Sequence, residues 1–255
     1  MRILLLLMSI LLYFSLVDLQ IRLHVIFRPR TLRAYIDRRV HRIARMTFAL
    51  ARFYQDLRVL REKVRPNLPE QFLVISNHQS LIDIPVLIWS LPNHSLRFVG
   101  KKELFRFIVM VSVMLRVQRH AVIDRHRNFA EAVHALERLG RSAVQWGFCP
   151  AVFPEGHRSR TGAVGAFHSG AIRTILRTAG LPVVTVAING GDKAAKLRQL
   201  RASLHHLRYQ VRILSVYPPP TTKQEIDDIL EKARREISEQ VAAWRGEALV
   251  VHDER

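Results

Sequence analysis

From Gln71 to Tyr217 short apolar runs of β character alternate with helical stretches, and this alternation limits the fold more than any other feature of the chain. The runs are Phe72–Ile75, Arg97–Val99, Ala121–Ile123, Ala151–Phe153, Val183–Ile188 and Gln210–Val216. Helical periodicity fills most of the gaps, at about Asp83–Leu91, Glu103–Gln118, Asn128–Leu139 and Ala171–Thr178, with Gly140 and Gly180 placed as helix stops. Strands joined through helices cannot pair as hairpins. They predict an α/β domain around a central, largely parallel mixed sheet flanked by helices. Lys223–Trp244 reads as a closing amphipathic helix, with Ile226, Ile229, Leu230, Ala233, Ile237 and Val241 on one side.

The first 65 residues follow another pattern. "ILLLLMSILLYFSLV", Ile3–Val17, carries no charge, and apolar character persists through "LQIRLHVIF". A spanning helix needs about 20 apolar residues, so the run suits a retained anchor that spans or dips into one leaflet. A cleaved signal is the rival, but no small-x-small cleavage site follows. After Pro29, the apolar residues Leu32, Ile36, Val40, Ile43, Met46, Leu50, Phe53 and Leu57 recur at helical spacing, predicting a helix from Thr31 to about Leu60. Its other faces hold Arg33, Arg38, Arg39, Arg42, Arg45 and Arg52. An apolar helix beside a basic amphipathic one reads as a membrane-associated pair, and "RPNLPE" at Arg65–Glu70 reads as a linker. The division is thus 1–65 for the anchor and 66–255 for the sheet domain. Arg22, Arg28, Arg30 and Arg33, just after the apolar run, put the body on the cytoplasmic face of the inner (plasma) membrane by the positive-inside rule.

Charge speaks to partners. Lys and Arg number 40 against 21 Asp and Glu, a net +19. Nucleic acid, anionic lipid and acidic substrates all fit that balance, but no nucleic-acid motif accompanies it. The single cysteine, Cys149, excludes an intrachain disulfide and a cysteine zinc cluster.

In α/β sheets, reactive groups collect in loops at the carboxyl ends of strands. "SNHQSLIDIP" puts His78 and Asp83 in one such loop. Five helical residues would turn the two side chains apart, whereas a curled loop brings them together. An aspartate on one ring nitrogen leaves the other free as a base. The plainer reading is a capping box, Ser80 to Asp83. "VFPEGHRSRTG" forms a second strand-exit loop, with Glu155, Gly156, Arg158, Ser159 and Arg160, in which an arginine fork and neighbouring backbone N–H groups could cradle an anion. "GKKELFR" adds Lys101 and Lys102. His78, Asp83, Glu155 and His157 also form a candidate metal set, and a non-enzymatic basic protein that binds anionic lipid is a third reading.

Taken in order, "NHQSLIDIP", "GKKELF", "FPEGHRS" and "LPVVTVAI" resemble the four blocks of the glycerolipid acyltransferase family, which contains the 1-acylglycerol-3-phosphate acyltransferases. The resemblance implies acyl transfer from coenzyme A or acyl carrier protein to a lysophospholipid hydroxyl, without metal or cofactor. It implies that His78 is the general base and Asp83 its orienting partner. Lys101, Lys102, Glu155, Gly156, Arg158 and Ser159 are then substrate-binding. It also implies a membrane lipid partner and no nucleic acid. His157 stands where the family usually has threonine, and Ser169 stands where a lysine is common. These departures bear on the acceptor, so a different lysolipid is the alternative.

Overall fold

The computed structural model describes residues 1–62, 67–101, 114, 117–123, 129–159, 161–194 and 204–246, with only the backbone of Lys101. The helix expected at Glu103–Gln118, with its apolar stretch Leu104–Leu115, lies largely outside the described residues.

Helix α1 (Arg2–Phe27) buries only Leu6, Val17 and Ile21. It is long and apolar enough to cross a membrane, with a mean hydropathy of 2.1 over its best window. A 3-10 turn at Pro29–Thr31 leads into α2 (Leu32–Gln55), which packs back along α1. Ser9 donates to the Tyr54 hydroxyl at 3.1 Å, and Arg39 donates to Gln20 at 2.6 Å. The expected helix pair is present, but α2 is shorter than its periodicity suggested. It stops at Gln55, Asp56 turns left-handed at φ 49°, and β1 (Arg58–Arg61) follows. β1 joins the sheet beside β7, so part of the segment assigned to anchoring helices belongs to the sheet. A four-residue edge strand continuing an amphipathic pattern gives no period-2 signal long enough to register.

The remaining strands are β2 (Leu73–Ser76), β3 (Leu96–Lys101), β4 (Ala121–Ile123), β5 (Cys149–Val152), β6 (Val183–Asn189) and β7 (Arg208–Tyr217). They form one sheet in the order β1-β7-β6-β2-β5-β3-β4, and only the β6–β7 pair is antiparallel. This is the mixed, largely parallel sheet that the alternation predicts.

Helices cover both faces. Phe72, Val74, Val184 and Val186 pack under α2 and α3 (Asp83–Ser90). Leu73, Ile75 and Val183 pack under α4 (Phe129–Trp146), α5 (Gly170–Ala179) and α7 (Lys223–Arg245). β2 and β6 are buried along their whole length, which explains their unbroken apolar runs. A short helix, α6 (Gly191–Ala194), follows β6. α7 starts in the capping box that Thr222 and Glu225 make reciprocally.

Gly140 does not stop α4, which runs on to Trp146. The glycine permits contact instead, since a Cβ there would lie 2.0 Å from the Thr178 hydroxyl of α5. The left-handed residue that follows the helix is Gly147, at φ 66°.

Cys149 begins β5, at the edge opposite the strand-exit loops, and is 1% exposed. Burial pushes its thiol up to about 11. Its thiolate fraction at neutral pH should therefore be about 100-fold below that of a free cysteine. Native protein is expected to react with an aromatic disulfide reagent at a correspondingly slow rate, and urea should restore the rate. Rapid labelling of the folded chain would contradict this burial.

Candidate active site

Parallel pairing sets β2 between β5 and β6, so the loops leaving Ser76, Val152 and Asn189 emerge side by side. β7 runs antiparallel to β6 and pairs Gln210 with Asn189, which brings its first residues to the same edge. The sheet thus delivers four chain segments to one place.

Asn77 begins the β2 exit. Its side chain donates to the Ile188 carbonyl at 2.8 Å and accepts the Ile188 N–H at 2.9 Å, extending the β2–β6 pairing past the strand end. The chain then curls, and His78 Nδ1 meets Asp83 Oδ2 at 2.7 Å. The same oxygen accepts the backbone N–H groups of Gln79 at 2.6 Å and Ser80 at 2.8 Å. Asp83 Oδ1 accepts from the Tyr209 hydroxyl. Asp83 is fully buried, and the first turn of α3 favours its negative charge.

The capping-box reading takes a different form here. Ser80 Oγ accepts from Ile82 N–H at 2.9 Å, while α3 itself has no side-chain cap. Asp83 reaches backwards and organises the loop that carries the histidine. Because an ionised carboxylate only accepts, Nδ1 carries the proton and Nε2 holds the lone pair. Nε2 makes no hydrogen bond among the described residues. The imidazole stacks on Phe153, with centroids 4.0 Å apart and planes 11° from parallel.

The second loop supports the first. Glu155 is 1% exposed, and its oxygens accept the N–H groups of His78 at 2.7 Å and Gly165 at 2.9 Å. Burial raises its pKa, and those two backbone bonds pull the other way. Ser159 N–H donates to the His78 carbonyl at 2.7 Å, so His78 is held through its backbone from both sides. Glu155 is therefore occupied with holding the loop backbone. Gly156 turns the chain at φ 72°. Arg158 and His157 are exposed and line a cleft of about 490 Å³ together with Ser159, Thr161 and Val164.

Lys101 ends β3 opposite Ile123, and its side chain lies outside the described residues, as do Lys102 and Arg160. Among the described residues no three of His, Cys, Asp and Glu gather as a metal set would.

Several supporting residues escaped the sequence reading. Gln79 bridges the Gly162 carbonyl at 2.9 Å and the Gly191 N–H at 2.9 Å. A Cβ at Gly191 would stand 2.8 Å from Asp83 Oδ1, so glycine is what lets this backbone pass. Tyr209 fell just outside the expected strand Gln210–Val216. Arg245, at the end of α7, donates to the Thr161 carbonyl and to Asn189 Oδ1, both at 3.1 Å, and pairs with Asp192 at 3.1 Å. The glycine pair after an apolar strand was the one signal that could have marked this third loop.

Known proteins share this fold. A crystal structure titled as the 1-acyl-sn-glycerophosphate (LPA) acyltransferase PlsC from Thermotoga maritima superposes with a TM-score of 0.69 at 21% identity, covering 98% of this chain and all of that one. A 1-acyl-sn-glycerol-3-phosphate acyltransferase of Cocos nucifera is 31% identical over 51% of this chain and 41% of its own length. A probable 1-acyl-sn-glycerol-3-phosphate acyltransferase of Mycoplasma pneumoniae is 28% identical over 70% of this chain and 69% of its own. A Limnanthes douglasii relative of the same name matches over 55% of its length, so the chain spans about half of the plant relatives it matches. The family model described as Acyltransferase covers residues 57–189, from the entry to β1 through the end of β6, and so takes in His78, Asp83 and Glu155. More than half of the chain falls within that model, and the chain belongs to the acyltransferase family.

Proposed function

We propose that the protein moves a fatty acyl chain from an acyl thioester to the free hydroxyl of 1-acylglycerol-3-phosphate, giving phosphatidate. The observation that carries this reading is the 2.7 Å contact between His78 Nδ1 and Asp83, with Nε2 unpartnered among the described residues. Family membership and the names of the relatives support the acceptor class.

In this mechanism His78 Nε2 takes the acceptor's hydroxyl proton as the oxygen attacks the thioester carbonyl. Asp83 stabilises the imidazolium that forms. The tetrahedral intermediate collapses with loss of the C–S bond, and the imidazolium returns the proton to the departing thiolate. Such a base contributes typically 10²–10⁴-fold in rate. Arg158, exposed at the cleft, holds the acceptor's phosphate, with Ser159 in the same cleft and Lys101 or Lys102 helping. The scheme uses no metal or prosthetic group. The donor is acyl-coenzyme A or acyl carrier protein, for which the basic surface provides attraction. Helices α1 and α2 hold the sheet domain at the cytoplasmic face of the membrane, with arginines toward anionic lipid.

The test is acyl transfer by membranes carrying the protein, with lysophosphatidate as acceptor and a labelled long-chain thioester as donor. Wild type should make phosphatidate, and His78→Ala should lose at least about 100-fold. Undiminished turnover in the variant would remove His78 as base. Product with another lysolipid but none with lysophosphatidate would replace the acceptor, and His157 at the cleft would be the first residue to vary.

A further inference from the structure

Three of the four donors on the Asp83 carboxylate share Oδ2: the His78 ring and two backbone N–H groups. Oδ1 points into the core, where its hydrogen bond comes from the Tyr209 hydroxyl. Tyr209 has no exposed surface and sits in the apolar cluster under α3. Phenylalanine would satisfy that packing and leave no hydroxyl to pair. The hydroxyl donates to the one carboxylate that orients His78, with the Ser80 side chain also beside it. Gly191 closes the same corner, since a Cβ there would stand 2.3 Å from the Tyr209 hydroxyl. Backbone thus fills the space beside Oδ1 on that side. The hydroxyl must donate, because the carboxylate can only accept. Burial, then the adjacent charge of Asp83, drive the Tyr209 pKa well above its ordinary value and keep the proton on the phenol.

We infer that Tyr209 is a positioning residue for the acyl-transfer site: its hydroxyl fixes the plane of the Asp83 carboxylate and draws negative charge toward Oδ1, away from the His78 ring. This rests on the reading of His78 as base. Two consequences follow for the dyad. Oδ2 is aimed at Nδ1 by a bond on the far side of the carboxylate. The imidazolium is also stabilised less than an otherwise unbonded carboxylate would stabilise it. Among the described residues, the other titratable groups here are Glu155 beside His78, His157 beside Glu155, and Asp192 of α6 beside Tyr209. Tyr209→Phe alters none of them.

The experiment is Tyr209→Phe in the full chain, assayed in membranes across pH, together with the proton resonance of His78 Nδ1–H in histidine-labelled protein. Turnover should fall about tenfold with the acceptor KM within about twofold. The acidic limb of the pH profile should move up by about 0.5 unit, and the resonance should move downfield. Incorporation of 3-fluorotyrosine, which makes the hydroxyl a stronger donor, should move the limb the other way without removing the hydroxyl. Lower turnover with an unmoved limb and resonance would overturn the inference and leave Tyr209 as packing. Wild-type turnover and profile would overturn it too. The resonance reads the hydrogen bond without catalysis. Its failure to move therefore counts against Tyr209 alone, whereas activity surviving in His78→Ala counts against the base.

Discussion

Asp83→Asn is expected to lower kcat by roughly 10²–10⁴-fold while leaving the fold in place. Asparagine has the same shape, and its carbonyl can sit where Oδ2 sits, accepting from Gln79, Ser80 and His78. Its amide would then face the Tyr209 hydroxyl, which can accept as readily as donate. The loop and the histidine tautomer therefore survive, and the main loss is the negative charge that stabilises the imidazolium. Thermal unfolding of the variant beside its kcat separates the two effects. A near-native melting point with a large loss in kcat is the expected pair. If activity stayed within about tenfold of wild type, the carboxylate's charge would be dispensable and the dyad would reduce to a lone histidine.

Asp37→Ala should give the largest loss of stability, about 3–5 kcal/mol, because it strands a buried guanidinium. Arg97 is 1% exposed on β3, and its Nη2 reaches Asp37 of α2 at 2.5 Å. Gln118 donates to the same oxygen at 2.9 Å. Arg97 also stacks over Phe148 at 5.2 Å and donates to the Leu96 carbonyl at 3.0 Å, while its Nε has no partner among the described residues. Burial already lowers the Arg97 pKa, and the charge of Asp37 is what opposes it. With Asp37 gone the cation has little to offset its desolvation. Urea unfolding measures the loss, and limited proteolysis near residues 56–62 tests whether α2 detaches first. Asp37→Asn keeps an acceptor and should lose about half as much. A loss below about 1 kcal/mol for Asp37→Ala would mean that water reaches Arg97 and takes over the role of the carboxylate.

The parts of this molecule that were legible in its sequence are those with local causes. β2 and β6 are buried on both faces, so their runs were unbroken and their limits fell within a residue or two. His78 and Asp83 lie in one decapeptide, and the curled loop needed to unite them could be imagined from spacing. Other features depended on distant partners. Nothing near Gly140 announces Thr178, whose hydroxyl fills the space a side chain would need. Residues Arg58–Arg61 continue a helical rhythm and become a strand because the edge of β7 is waiting for them. Glu155 stood out only as part of a polar strand-exit loop, and its carboxylate is taken up by backbone N–H groups, one of them 77 residues away. Tyr209 reaches Asp83 across 126 residues, a distance no local pattern encodes.

That contrast has a kinetic side. The histidine and its aspartate are neighbours along the chain, and a nascent loop could bring them together within the first moments of collapse. What holds them at working geometry is not local. Asn77 waits for Ile188, His78 for Glu155, and Asp83 for Tyr209, so each clamp closes a long loop before it contributes anything. Helix content can therefore appear early while the His78–Asp83 geometry stays unformed. The last of these clamps belong to β6 and β7, which leave the ribosome well after β2, so a growing chain carries His78 and Asp83 for more than a hundred residues before their geometry is fixed.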